Sequence, residues 1–360
     1  MTTILVVTSI THRALDQESL VRAWLKNGHR VVVLNFFNCN PFQITSSHDV
    51  YRFIPFEVLP GPFNLAKAIW KVVSLCWQYK VHSVIAHLEY PSFVSVIANF
   101  FVVSKVVVYR HHADYAVLNG LNSSLSYKFT YRFAPAVVVV SNHAKKIMVE
   151  KEKISARKIR VVPLAFDFKL FKEPAEGDVR AIRRNYQAEV LLLAVGRLTK
   201  LKRPHHAVDV LNLLIREGID AKLIILGVGE EHASLEKYIY DNSLSHRAFL
   251  PGFSNDVLTF MAAADFIIHP SISESSSIVV KEAGLVKRPC IACRGVGDFD
   301  EYMVHEKNGF LVNQETFVID TFNIIKSKHQ DHLLLNEIGE NLNNDILRLF
   351  EVSRAIEKVV

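Results

Sequence analysis

Glu274 and Glu282 flank three consecutive serines, Ser275 to Ser277, in the stretch His269-Pro-Ser-Ile-Ser-Glu-Ser-Ser-Ser-Ile-Val-Val-Lys-Glu-Ala-Gly284. Apolar Phe266 to Ile268 run into Pro270, and Ile278, Glu282 and Leu285 recur at helical spacing, so the segment reads as strand, loop and helix. Serine suits a helix start because its oxygen can accept a free first-turn N–H. The remaining N–H groups and the helix dipole favour a bound anion such as a diphosphate. A carboxylate on each side of that anion can hold hydroxyls, which is the layout of a sugar nucleotide. Alone, such a pair is more often a solvated helix face, so the reading rests on what else the chain supplies.

Basic residues follow a second apolar run. Val190 to Val195 ends at Gly196, and Arg197 and Lys202 then stand on the loop at the carboxyl end of that strand, where open α/β sheets bind ligands. Arg197 can fork onto two phosphate oxygens and Lys202 can add a point charge. Gly227-Val-Gly229-Glu-Glu-His232 lacks the third glycine of a dinucleotide fingerprint, and Glu230 and Glu231 would repel a pyrophosphate there; it reads as a tight turn. Phe253, after Pro251 and Gly252, reads equally as a surface for a nucleobase and as a core ring beside a turn. Earlier, Tyr109-Arg-His-His-Ala-Asp114 gathers two histidines, a base and an acid at the end of an apolar strand. His111 and His112 can exchange protons near neutral pH or hydrogen-bond a sugar hydroxyl; the alternative is a structural loop of paired polar groups.

No metal is expected. Asp298-Phe-Asp300 has the DxD form, but such triplets arise by chance, and Arg197 and Lys202 already supply charge for a diphosphate. Cys290 and Cys293 fall on a strand, where residues three apart face opposite ways, and no second Cys or His pair adjoins them. With Cys39 and Cys76 they are too few for a disulfide framework and point to a reducing compartment.

The elements that must carry these residues are visible in the hydropathy pattern. Short apolar runs alternate with helical segments throughout the 360 residues, the pattern of parallel sheets covered on both faces. Strands are predicted at 3–7, 30–34, 83–86, 105–109, 136–140 and 159–162, then at 190–195, 222–226, 249–250, 266–269 and 290–293. Helices fall between them, and the amphipathic segment 345–360 closes the chain. Pro163 to Asp178, with Pro174 and Gly177, reads as a linker, which divides the chain into 1–165, 166–344 and the final helix 345–360.

The balance of 42 Lys and Arg against 36 Asp and Glu gives +6, compatible with anionic ligands, an acidic membrane surface or nucleic acid. No secretory signal is evident at Met1-Thr2-Thr3, and the longest uncharged stretch, Tyr90 to Ser104, is too short and too polar to span a membrane. A cytoplasmic protein is expected. Lys71, Trp77, Lys80, Arg110, Lys128, Arg132, Lys145 and Lys146 are candidates for peripheral contact with an anionic membrane, or are simply solvated.

Over Val190 to Val312 the chain resembles the retaining glycosyltransferase family 4, the glycosyl transferases of group 1. The likeness lies in Gly196-Arg197 with Lys202, Leu226-Gly-Val-Gly-Glu230, Phe249-Leu-Pro-Gly-Phe253, Ala264-Asp265, Pro270-Ser271, Glu274 with Glu282-Ala283, and Asn308-Gly-Phe-Leu-Val312. Weaker similarity covers Gly28-His-Arg-Val31, Val140-Ser141 and Ile159 to Asp167. The resemblance implies two facing Rossmann-like, doubly wound α/β domains (the glycosyltransferase-B fold), a final helix crossing back to the first domain, and closure about Pro163 to Asp178. It also implies metal-independent, cofactor-free transfer of a sugar from a nucleoside-diphosphate sugar to a glycan or lipid-linked hydroxyl in cell-envelope or related glycan synthesis, without nucleic acid. A nucleotide-sugar epimerase of the same fold and a non-catalytic sugar-nucleotide or glycan-binding partner are the alternatives.

By the same resemblance, Arg197 and Lys202 neutralise the diphosphate, Glu282 holds the ribose and Glu274 lies against the transferred sugar. Ser275, Ser276, Ser277 and Ile278 line the phosphate and sugar, Gly252 and Phe253 face the base, and His111, with His112 as the alternative, sits near the reacting carbon. Thr11, His12, Arg13, His112 and Asp114 are acceptor-side candidates. The chain departs from the family pattern in lacking a glycine pair in its first loop, in its three serines after Glu274, and in Asp298, which replaces a glycine.

Overall fold

The structure, a computed structural model, describes residues 1–40, 42–47, 49–58, 61–113, 120 and 124–359, less the side chains of 62 and 357. It divides into two compact units, Met1–Leu170 with Leu349–Val360, and Phe171–Arg348.

Unit 1 is built on a seven-stranded sheet of order β3-β2-β1-β4-β5-β6-β7. Its strands are β1 (Thr3–Thr8), β2 (Arg30–Asn35), β3 (Tyr51–Pro55), β4 (Ser83–His87), β5 (Lys105–Arg110), β6 (Ala136–Val139) and β7 (Ile159–Val161). Alternate side chains feed two cores. Leu5, Val7, Val84, Val106 and Val108 face a layer made by α2 (Pro62–Gln78), α3 (Glu89–Ala98), α4 (Leu125–Phe133) and α5 (Asn142–Glu150). Ile4, Val6, Ile85 and Val107 face α1 (Leu15–Lys26) and the last residues of the chain. Each fully buried Val or Leu contributes about 1.5–3 kcal/mol, which is why continuous apolar runs, rather than alternating ones, mark these strands.

Unit 2 has a six-stranded sheet of order β10-β9-β8-β11-β12-β13. The strands are β8 (Val190–Val195), β9 (Ala221–Leu226), β10 (Ala248–Gly252), β11 (Phe266–His269), β12 (Cys290–Cys293) and β13 (Phe310–Val312). They are joined or covered by α6 (Glu176–Asn185), α7 (Pro204–Arg216), α8 (His232–Asp241), α9 (Val257–Ala263), α10 (Ile278–Leu285), α11 (Phe299–Tyr302), α12 (Phe317–Lys328) and α13 (His332–Leu349). Both sheets are parallel and both are doubly wound. The strand order turns back at β1, which lies between β2 and β4, and at β8, which lies between β9 and β11.

Some expectations change. β3, β13, α5 and α6 are added by the structure: β3 is a half-exposed edge strand, β13 has three residues, α5 buries Ala144, Ile147 and Met148, and no residue of α6 is fully buried. Much of the stretch read as linker is ordered structure, since Phe166 bridges to Glu351 and α6 begins at Glu176. The segment 345–360 is not one helix. α13 ends at Leu349, Phe166 N donates to Phe350 O at 2.8 Å, and the short helix α14 (Ile356–Val359) packs beside α1 in the core of unit 1. Arg110 is no surface base. It is fully buried, bonded to both oxygens of Glu152 at 2.7 and 2.8 Å and lying over Tyr127 and Tyr131.

That pair ties β5 to the end of α5. Arg110→Leu strands the Glu152 carboxylate in the interior and is expected to lower unfolding stability by about 3–5 kcal/mol in urea titration.

Candidate active site

In unit 2 the loops after β8 and β11 emerge side by side at the turning point of the sheet. Ile272 N donates to Leu201 O at 3.0 Å, and one pocket is lined by Gly196, Arg197, Lys202, His269 and Pro270. The Gly227-Val-Gly229 turn is packed directly beneath the Arg197 loop. A Cβ at Gly227 would stand 1.9 Å from Gly196 O, and one at Gly229 2.3 Å from Leu198 O, so only glycine permits the approach. Arg203, which the sequence reading passed over, ties the neighbouring loops together. It donates to Pro270 O at 2.8 Å, Gln314 O at 3.0 Å and Cys293 Sγ at 3.2 Å. Arg197 itself is exposed.

The two glutamates have opposite environments. Glu274 accepts from Lys202 Nζ and from His269 Nε2, the latter at 2.7 Å. Burial opposes its ionisation, but the bonds and charges of His269 and Lys202 outweigh burial and hold the carboxyl at about 2. Glu282, on the first turns of α10, is half-buried, and burial with no opposing charge or bond pushes its carboxyl up to about 7. Ser277 is the N-cap residue of α10, yet its hydroxyl makes no capping bond. The expected capping by serine is thus absent.

The serines are held from behind. Lys281, fully buried on α10, donates to Asp298 Oδ2 at 2.9 Å, Ser276 Oγ at 2.8 Å and Ser277 O at 3.1 Å, and its Nζ lies over the Tyr302 ring. Ser276 Oγ also donates to Asp298 Oδ2. Asp298 therefore pins the loop after Glu274. Its neighbour in the DxD triplet, Asp300, instead accepts from Gly295 N and approaches Arg294. Among the described residues, no group of three or more His, Cys, Asp or Glu is placed to hold a metal ion. Cys290 and Cys293 are both buried free thiols, pushed up by burial, Cys293 to about 11.

In unit 1, His111 and His112 follow β5. His111 Nε2 is 2.7 Å from Nδ1 of buried His87, at the end of β4, and its Nδ1 is 3.5 Å from Asp16 on α1. His87, Tyr109 and His111 form a cluster in which every pair of ring centroids is 4.8–5.0 Å apart, each histidine stacking on Tyr109. Burial lowers both histidines, so they are neutral imidazoles at neutral pH. His112 Nδ1 meets Glu89 at 3.0 Å. Arg13 is bound through two nitrogens to buried Glu18, at 2.8 and 3.1 Å, and so anchors its own loop; Thr11 and His12 are exposed beside it. Asp114 lies outside the described residues. Gly252 adopts φ 85° at the end of β10, an edge strand, and Phe253 beyond it is exposed rather than part of the core.

Asp16, His87, Glu89, Arg203, His269 and Lys281 also belong to these clusters and are not among the sequence-based candidates. His87 and His269 carried a usable signal, because each is the polar end of an apolar strand. Lys281 carried none, being a lysine at a helix position whose burial only the fold reveals.

Two family models match: Glycosyltransferase Family 4 over residues 18–170 and Glycosyl transferases group 1 over 177–338. The chain belongs to glycosyltransferase family 4. This family 4 chain is 28% identical over 241 residues to the UDP-Gal:alpha-D-GlcNAc-diphosphoundecaprenol alpha-1,3-galactosyltransferase of Escherichia coli, covering 64% of this chain and 60% of that protein. It is 24% identical over 284 residues to the N-acetylgalactosamine-N,N'-diacetylbacillosaminyl-diphospho-undecaprenol 4-alpha-N-acetylgalactosaminyltransferase of Campylobacter jejuni, covering 77% and 72%. The match to the first of these spans about 60% of that relative's length. Anabaena HepE in complex with UDP-glucose superposes with a TM-score of 0.83 at 21% identity, covering 100% of this chain and 98% of that one. The fold of the family 4 chain is the glycosyltransferase-B fold.

Two measurements check this geometry. Lys281→Leu leaves the buried Asp298 without its cation, bonded to the Ser276 hydroxyl, and is expected to cost about 3 kcal/mol in denaturant titration, whereas Lys281→Leu with Asp298→Gly removes both charges and recovers most of it. Glu274 in the folded chain sits near 2 against its ordinary 4.5. Its contribution to stability is complete above about 4.5 and is lost as pH falls toward 2, so Glu274→Gln should flatten the acid limb of a stability–pH curve.

Proposed function

We propose that the chain is a retaining, metal-independent glycosyltransferase that moves a sugar from a nucleoside-diphosphate sugar to a hydroxyl of a lipid-linked or other glycan acceptor. The observation that carries this reading is the arrangement at the turning point of the unit 2 sheet. Arg197 and Lys202 line one pocket with His269, Lys202 is bonded to the ionised Glu274, and the helix that carries Glu282, a glutamate shifted by burial alone, begins shortly after at Ile278. The relatives' names, which include two transferases acting on diphosphoundecaprenol-linked sugars, support the acceptor class.

In this reading Arg197 and Lys202 stabilise the charge that develops on the departing diphosphate, the largest catalytic term for such a transfer. Lys202 is positioned by Glu274, whose ionised state keeps the ammonium in place, while Glu274 faces the transferred sugar. Glu282 accepts the ribose hydroxyls, which repairs its lack of partners. Ser275 to Ser277 and the N–H groups of Ile278 and its neighbours contact phosphate, and Gly252 with Phe253 meets the base. His111, as a neutral imidazole with His87 behind it, hydrogen-bonds the sugar. The acceptor hydroxyl gives its proton to the leaving phosphate, so no protein base is assigned.

Incubating the purified chain with a panel of nucleotide sugars and following release of nucleoside diphosphate tests the reading; turnover should survive EDTA, and conversion to an isomeric sugar nucleotide would overturn it. Glu282→Ala is expected to weaken donor binding by about tenfold or more. The pH dependence has a definite sign. Ribose hydroxyls bind the carboxylate form, and Glu282 titrates at about 7 when unliganded, so affinity for a nucleotide sugar should rise as pH rises through 7. The doubly esterified diphosphate does not itself titrate there, and Glu282→Gln should abolish the slope, as calorimetric titration can show.

A further inference from the structure

The helical layer α2–α3–α4 of unit 1 carries an exposed apolar surface that the chemistry above does not use. Apart from Met1, every exposed large hydrophobic residue of unit 1 among the described residues lies on α2, on α4 or in the turn between α3 and β5. Phe63 and Leu125 are each 86% exposed, Trp70 63% and Trp77 58%; Phe100, Phe101, Val103 and Phe133 complete the set. A monomer rarely exposes a contiguous apolar area of this kind without a partner for it. Phe63, Lys67, Trp70 and Trp77 follow helical spacing along one side of α2, and the two indoles meet edge to face at 5.8 Å.

The charge of the layer is one-sided. α2 and α4 contain no acidic residue, while Lys67, Lys71, Lys128 and Arg132 stand among the rings, and the single acid of α3, Glu89, is paired with His112. A groove crosses this layer. Its inner part, about 340 Å³, is lined by Glu89, Tyr90, Phe93, Tyr127 and Tyr131. Its outer part continues through the shared residues Phe93 and Ser126 to Leu125, Phe129 and Phe133, with Lys128 and Arg132 at its edge. The inner end thus reaches Glu89, whose carboxylate meets His112 Nδ1 at 3.0 Å, and the outer end is lined by Leu125 and Phe133, both exposed.

We propose that this layer docks on an anionic lipid bilayer, with Trp70, Trp77 and the neighbouring phenylalanines entering the border of the hydrocarbon and the bases meeting lipid phosphates. The groove between α3 and α4 takes one hydrocarbon chain of a lipid, so that the polar end of that lipid lies toward His112. The identity of this lipid as the acceptor carrier rests on the function proposed above, whereas the docking does not. Amphipathic aromatic and basic helices bind in this way because ring burial and phosphate attraction add.

The full chain reports on itself, since its three tryptophans are Trp24, buried on α1, and the exposed pair Trp70 and Trp77. Vesicles of phosphatidylglycerol and phosphatidylcholine with brominated acyl chains should quench the emission, and Trp70→Phe with Trp77→Phe should leave only unquenched Trp24. Replacing phosphatidylglycerol by phosphatidylcholine, or introducing Trp70→Ser with Trp77→Ser, should reduce flotation by about tenfold. For the groove, cis-parinaric acid serves as the chain probe. Ser126→Phe should weaken its binding by about tenfold while vesicle flotation is kept.

Absence of quenching, or flotation indifferent to the tryptophan substitutions, overturns the docking. Self-association lost in Trp70→Ser with Trp77→Ser, without any vesicle binding, assigns the face to a second copy and also overturns it. Parinaric acid binding that Ser126→Phe leaves unchanged overturns the groove. None of these assays uses a nucleotide sugar, so vesicle docking by a chain that turns over no donor would sink the proposed function alone.

Discussion

Every pairing among the described strands of both units is parallel, and the rest of the structure depends on that constraint. A parallel strand covered on both faces has no solvated side on which to place polar groups, so polar residues collect where the strand ends. Asn35, His87, Arg110 and His269 are all last residues of strands, and all are buried. Because the strands run the same way, those ends come together at one edge of each sheet. At the turning point of the unit 2 sheet the loops after β8 and β11 stand side by side, the place where open α/β sheets bind ligands.

Burying charge at such an edge requires partners, and the chain meets the requirement differently at each acid. Glu18 is held by Arg13 and Arg22, Glu152 by Arg110, and Asp298 by Lys281. Glu274 has His269 and Lys202. Glu282 differs from these, half-buried with burial as the only influence on its carboxyl. A carboxyl left in that state costs stability as it ionises, which the fold tolerates at a position where hydroxyl groups of a ligand can restore the missing bonds.

The three serines after Glu274 and the aspartate at 298 look in sequence like two unrelated departures from a family pattern. In the structure they are one feature. Lys281 reaches from α10 to Ser276, to Ser277 O and to Asp298, so the aspartate neutralises the lysine and the lysine fixes the serine loop. A glycine at Gly297 completes the arrangement, because a Cβ there would lie 2.9 Å from Cβ of Glu274. The loop is therefore rigid for a different reason than a glycine-containing turn would be.

Sequence alone determined the doubly wound α/β class, the strands with continuous apolar cores such as β8, β11 and β12, the cation pair Arg197 and Lys202, and the resemblance carried by Glu274 and Glu282. These are legible because strand burial and loop chemistry leave local patterns of residue type. Edge strand β3 and charged α6 escaped because little of each is buried, and β13 escaped because its three residues, though all buried, are too few to set a pattern; an amphipathic pattern likewise does not show that a helix stops at Leu349. Only the tertiary structure decided that Arg110 is a core ion pair, that Arg13 holds its own loop, that His87 backs His111, and that Lys281 pairs with Asp298. Each of those pairs joins residues of different elements, and whether a charge is solvated or committed depends on the partner that folding brings to it.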